Sequence, residues 1–213
     1  VFGMTWGRAM HEFVEQLAKD ERLRSLSFQN VKVVPFLGTP GAIQSDSWNT
    51  TTYSNTLATK VGNLLHCASY NLSAPMYVEG TKEKELIESI DEIAKVLHMA
   101  ETADIALIGI GSMQDDSSII KAEIRTKEEY KELVRKGAVG EIVGRIYDKN
   151  GQTVDEDLKR KMVGISLDKI AKIPVRVGMS YGKDKIEAIK GAIAGGLVNV
   201  LVTDVPTAEL LLK

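Results

Sequence analysis

The chain has 213 residues, with Lys and Arg together numbering 27, Asp and Glu 29, a net charge of −2 and 44% hydrophobic residues. That length suits one domain burying about 70% of its unfolded surface, which needs no staple, and the single Cys67 excludes an internal disulfide. The charge balance excludes the clustered basic face of a nucleic-acid binder, no apolar run reaches the ~20 residues of a membrane span, and His11, His66 and His98 stand in no metal-ligand spacing.

The opening Val1–Trp6 reads as the inside of a strand. With no leader-like segment in view, the expectation is a fragment of a longer cytoplasmic protein. Gly7–Lys19 reads as a helix with Met10, Phe13, Val14 and Leu17 on one face. Val31–Leu37 is a β-branched strand ending in the turn Gly38-Thr39-Pro40-Gly41. Tyr53–Leu65 carries Leu57, Val61, Leu64 and Leu65 at helical spacing, and short extended pieces follow at Ala68–Leu72 and Pro75–Val78. Lys82–Met99 predicts one long helix with Leu86, Ile90, Ile93 and Leu97 inward. Asp104–Ile110 is nearly continuous in apolar residues, as a parallel strand covered on both faces should be. Thr126–Arg135 predicts a helix, and Val139–Tyr147 a single strand followed by the turn Asp148–Gly151. Ser166 caps a short helix through Ile173. The rest reads as strand Val175–Met179, helix Lys183–Ala194, strand Val198–Val202 and helix Pro206–Leu212, with Pro in its first turn.

Strands alternating with helices predict an α/β domain: a Rossmann-like parallel sheet with helices on both faces. Such sheets bind ligands outside the carboxyl ends of their strands, so the loops after strands are where a site belongs. The first, Trp6-Gly7-Arg8-Ala9-Met10, runs straight into a helix whose N-terminus suits an anion, with Arg8 as a charged fork. The competing reading is a tight turn at Gly7 and a solvated Arg8. The second, from Gly38 and Thr39 through Gln44, Asp46, Trp48 and Asn49, mixes polar groups with an aromatic face. It reads as a polar surface loop or as the wall of a polyhydroxy ligand site. The third, Gly109–Ser118, has a Gly-x-Gly that lacks the third glycine of a dinucleotide site, but Gly111 allows close approach and Ser112, Asp115 and Ser117 offer oxygens. Glu141, alone in an apolar stretch, faces either solvent or a pocket. Lys183 and Lys185 open a helix after a strand, either solvated or near an anion. Glycines, hydroxyls, one Arg, one carboxylate and two Lys after consecutive strands fit a phosphorylated sugar better than a nucleotide or a metal.

The segments Gly3–Met10, Val33–Gly38, Asp104–Ser112, Gly137–Ile142, Val163–Leu167, Gly182 with Lys185–Ile189, and Gly195–Asp204 resemble, in consistent order, the effector-binding domain of the SorC family of bacterial transcriptional regulators. The similarity runs through nearly all of the chain. It implies a fold similar to that of the sugar-phosphate isomerases and glucosamine-6-phosphate deaminases. It also implies an N-terminal helix-turn-helix domain before Val1, a homodimer or homotetramer, and an effector that is usually a phosphorylated sugar. Contact with operator DNA would then belong to that preceding domain, in keeping with the acidic charge here. By position, the resemblance places phosphate contacts on Gly7, Arg8, Ala9 and Met10, where many members have Thr at the places of Arg8 and Ala9. It places the hydroxyl-binding acid on Glu141 and the motif lysine on Lys185. One branch of the family holds its sugar through a lysine after the second strand; Leu37 stands at that position, so no Schiff base is expected.

The ligand-binding set expected from loops and resemblance together is Gly7, Arg8, Ala9, Met10, Gly38, Thr39, Gln44, Gly111, Ser112, Asp115, Glu141 and Lys185. No catalytic residue, cofactor or metal is expected. The rival class is a sugar-phosphate isomerase or deaminase. The deaminases continue their Gly-x-Gly into Asp-Gly-His, whereas this chain has Ser112-Met113-Gln114-Asp115-Asp116 and no His for proton transfer. The isomerases carry a cluster of carboxylates there, and only Asp115 and Asp116 are near. A third class is a module that only assembles, should the loops prove to be closed surface turns.

Overall fold

The computed structural model describes residues 1–26, 28–40 and 50–213, with residues 24 and 25 described by backbone alone. In the first half the elements are β1 (Phe2–Met4), α1 (Arg8–Leu17), β2 (Lys32–Pro35), α2 (Ser54–Leu64), β3 (Ala68–Ser69), α3 (Thr81–Glu88) and α4 (Asp91–Glu101). Then come β4 (Ile105–Gly109), β5 (Gly111–Ser112), α5 (Ser118–Lys121), α6 (Lys127–Arg135), β6 (Ala138–Ile142) and β7 (Arg145–Asp148). The chain closes with α7 (Glu156–Lys161), α8 (Leu167–Ile170), β8 (Val175–Met179), α9 (Ile186–Ala194), β9 (Val200–Val202) and α10 (Val205–Leu211).

Among the described residues, six strands form one sheet in the order β3-β2-β1-β4-β8-β9, and every pairing in it is parallel. The chain runs outward from β1 to β3, then returns to lay β4 on the other side of β1. This is the doubly wound order, and the reversal opens a crevice at the carboxyl ends of β1 and β4. Successive side chains of a strand point to opposite faces. Val33 therefore joins Met4, Met10, Val14 and Leu57 under α1 and α2, while Val34 joins Phe36, Ala106 and Ile108 on the opposite face. That second face is closed by Ala100 of α4, Ile170 of α8, and Ala188 and Ile189 of α9. At Gly3, the ring of Phe36 fills the space that a Cβ would need.

Two expectations are corrected. The single helix over 82–99 is two helices, α3 and α4, broken at Ser89-Ile90. Ser89 Oγ donates back to the Leu86 carbonyl at 2.7 Å, Ile90 takes an extended conformation, and Asp91 and Glu92 start a new helix where its positive end favours acids. Leu86 and Ile90 consequently face solvent, at 70% and 50% exposure, while Ile93 is buried. The single strand over 139–147 is the antiparallel hairpin β6–β7, with Val143 and Gly144 as its two-residue turn. Both have positive φ, 56° and 69°, as a type I′ turn requires. Apolar residues run unbroken through the turn because both arms are buried, so periodicity hides it. β5 pairs with β6, completing a three-stranded sheet.

Candidate functional site

A pocket of about 270 Å³ lies at the switch point. It is walled by the segments leaving β1 (Trp6–Ala9), β4 (Gly109–Ser112) and β8 (Ser180, Tyr181), with Glu141, Lys185 and the loop Asp116–Ser118. Gly7 makes the turn from β1 into α1 at φ 106°, a conformation that favours glycine. Its amide donates to the Thr52 carbonyl at 3.0 Å. No side chain among the described residues caps α1, and the amides of its first turn, at Arg8, Ala9 and Met10, have no intrahelical acceptor. They turn the positive end of the helix toward the pocket.

On the opposite wall, Lys185 Nζ donates to Ser112 Oγ at 2.9 Å and stands 3.8 Å from Asp184. Ser180 Oγ donates to the Ile110 carbonyl at 3.1 Å, tying the segments after β8 and β4 together. Across the mouth, Arg8 Nη2 meets Asp116 Oδ2 at 2.8 Å. The floor is Glu141, only 6% exposed. Its carboxylate accepts from the Gly144 amide of the hairpin turn and from the Trp6 indole. Burial raises its pKa, against the opposing pull of those donors and of Lys185. Register puts Gly111 opposite Glu141, and a Cβ at Gly111 would stand 2.6 Å from Glu141 Oε2, so the glycine makes room for the acid. Behind this floor the Tyr130 hydroxyl is buried without a partner of normal geometry. Burial, the Glu141 charge and the Asp116 charge raise its pKa. Tyr147 donates to the Ala188 carbonyl at 2.9 Å.

The structure thus brings Gly7, Arg8, Ala9, Gly111, Ser112, Glu141 and Lys185 together around one cavity. Four other expected residues lie elsewhere. The Met10 side chain is fully buried in the core with Val14, because it falls on the inward face of α1; only its amide belongs to the helix end. Gly38 and Thr39 follow β2, one strand away from the crevice, and pack on the segment 74–76. There the Thr39 amide donates to the Ala74 carbonyl at 2.9 Å, and Thr39 Oγ1 accepts from Asn55 Nδ2 at 2.8 Å. Asp115 is exposed and does not line the cavity; Asp116, next in the chain, does. Gln44, like Asp46, Trp48 and Asn49, lies outside the described residues. The cavity is also lined by Trp6, Asp116, Ser118, Ser180 and Tyr181, which the sequence does not single out as ligand contacts. The rule that sites follow strands points to their loops, but not to which side chains turn inward. Among the described residues no cluster of three or more His, Cys, Asp or Glu could hold a metal ion.

A parallel doubly wound sheet with an anion-suited helix end, two cations, a hydroxyl and a buried carboxylate at its switch point defines a small-molecule-binding α/β domain. The whole chain, residues 1–213, matches the family described as "Putative sugar-binding domain". It is 30% identical over 215 residues to the sorbitol operon regulator of Klebsiella pneumoniae, covering 100% of this chain and 65% of that protein. It is 35% identical over 159 residues to the transcriptional regulator LsrR of Escherichia coli O157:H7, covering 73% of this chain and 50% of that protein. The crystal structure of full-length SorC from Klebsiella pneumoniae matches with a TM-score of 0.86 at 31% identity, covering 100% of this chain and 65% of that one. The chain belongs to the SorC family, as a sugar-binding domain of transcriptional regulators. That family is regulatory rather than enzymatic, and the chain spans between half and two thirds of the length of these relatives.

Proposed function

We propose that the chain senses a phosphorylated sugar in the pocket between β1, β4 and β8. The bound ligand changes the DNA affinity of a helix-turn-helix domain lying outside these 213 residues. The observation that supports this is the meeting of Arg8, Lys185 and the start of α1, which no side chain among the described residues caps, on one cavity floored by buried Glu141. In this reading the phosphate takes the α1 amides, Arg8 and Lys185, while Glu141 and Ser112 read the sugar hydroxyls. The ligand transmits a signal because it binds two arrangements of loops or subunits unequally.

The protein works in the cytoplasm as a homodimer or homotetramer on operator DNA. No helix among the described residues is long and apolar enough to cross a membrane. Val200 and Val202 on the edge strand β9, with Val205 beside them, are exposed in the single chain and supply apolar surface for assembly.

The experiment is a thermal-shift screen of sugar phosphates against the matching free sugars. A ligand at 100 times its Kd adds about 2.7 kcal/mol, which at roughly 2–4 °C per kcal/mol is on the order of 5–10 °C for a chain of this size. Arg8→Ala and Lys185→Ala each remove a charge-assisted hydrogen bond worth ~1.5–3 kcal/mol, or on the order of 10–100-fold in Kd. They should weaken the phosphate ester by that factor and leave the free sugar nearly unchanged. Equal losses for both ligands would refute the phosphate assignment, and turnover of the bound ester would refute the sensor.

A further inference from the structure

Two of the residues lining the pocket, Arg8 and Asp116, are ion-paired with each other. Arg8 opens α1 and Asp116 sits on the loop between β5 and α5, so their 2.8 Å contact bridges two walls of the cavity that both residues line. Arg8 holds the Asp116 carboxylate below its usual range, and Lys121 and Lys185 add to the effect, so three cations bear on it. Both side chains are more than half exposed, 67% and 56%, which makes the pair weak and exchangeable with a solute anion.

We propose that Asp116 is an internal competitor for the ligand's anion, an affinity-setting residue that holds Arg8 until a phosphate displaces it. The proposal rests on the phosphate reading above. A phosphate monoester carries nearly two charges and three acceptor oxygens at neutral pH. It can engage Arg8, Lys185 and the α1 amides together. An Asp116 left in place would then be a third negative charge against it, so the carboxylate swings away and carries the loop 113–117 with it. Every anion that needs Arg8 meets the same tax on affinity, as for any ligand whose competent state is partly populated. A neutral sugar leaves the pair closed. Ligand binding is thereby coupled to release of the β5–α5 loop, whose Ser117 caps α5.

The test compares this chain with its Asp116→Asn, Arg8→Gln and doubly substituted variants, titrating inorganic phosphate at constant low ionic strength and following amide shifts by NMR. The expected result is an approximately three- to five-fold tighter phosphate Kd for Asp116→Asn, the factor corresponding to an exposed ion pair of ordinary strength. In the Arg8→Gln background the same substitution should change Kd by less than about two-fold, since the competitor has nothing left to occupy. Ligand-free Asp116→Asn should also show, over residues 113–117, the shifts that phosphate produces in the unsubstituted chain. An equal gain in both backgrounds would mean that Asp116 merely repels anions, and no gain would mean that it is not in the way; either overturns the proposal. If none of the four proteins binds phosphate, the phosphate reading fails and this proposal with it.

Discussion

Gly111→Ala tests the floor of the pocket most directly. The added Cβ would stand 2.6 Å from Glu141 Oε2, well inside van der Waals contact, while the Glu141 backbone oxygen and Cβ stand at 3.5 and 3.6 Å, which is ordinary packing. The strain therefore falls on the carboxylate alone. A surface carboxylate would swing aside at little cost, but this one is buried and accepts from the Gly144 amide and the Trp6 indole. Losing one such bond to a charged group costs ~1.5–3 kcal/mol, and overpacking a closed site costs ~1–3 kcal/mol. The larger of the two sets the scale, since moving the carboxylate relieves the clash. At about 2–4 °C per kcal/mol, the melting temperature should fall by roughly 3–12 °C. Urea unfolding measures the same change as a shift in midpoint at constant slope. In a Glu141→Ala background the added methyl meets only ordinary contacts, so Gly111→Ala should then be neutral, or stabilising by ~0.4–1 kcal/mol through the unfolded chain. A cost that is the same in both backgrounds would place the strain in the backbone and refute the reasoning.

Burial raises the Glu141 pKa above its ordinary 4.5, so the folded chain binds its proton more tightly than the unfolded one. Its contribution to stability is accordingly complete below about 4.5 and is lost as pH rises through the raised value. The stability of the unsubstituted chain relative to Glu141→Gln should fall across that window, and a flat difference in urea midpoints from pH 4 upward would contradict it. Arg125 and Asp155 form a buried bidentate pair at 2.9 and 3.1 Å, and Asp155 also caps α7 through the Leu158 amide. Arg125→Ala should cost ~3–5 kcal/mol in urea unfolding, because it leaves a buried carboxylate without its cation; a loss below 1 kcal/mol would show that water reaches Asp155. Gly3→Ala should cost ~1–3 kcal/mol in the same measurement, since the ring of Phe36 must move within a closed core. Truncation of that ring in Phe36→Leu should absorb much of the cost, and full additivity of the two substitutions would be the contrary result.

The chain sequence by itself determined the alternation of elements, the sense of the sheet and the rule that a site belongs in the loops after strands. Asp104–Ile110 reads as a doubly covered strand because every side chain in such a strand meets apolar surface. Ser166 announces a helix start because its side chain bonds the amide three residues ahead. These are short-range facts, written in neighbouring residues. Only the tertiary structure decided the break at Ser89-Ile90 and the turn at Val143-Gly144, where an apolar pattern continues unbroken across a change of direction. The same holds for the site. Glu141 could have faced solvent or a pocket, and the pairing of Gly111 with it, thirty positions away, settles that it is buried. Gly38 and Thr39 share the polar, glycine-bearing character of the other loops, but β2 lies one strand outside the crevice. Asp115 and Asp116 are indistinguishable by residue type, and the local path of one loop aims the second at Arg8. Convergence of this kind depends on β4 returning beside β1, an arrangement of segments about a hundred residues apart that no local preference encodes.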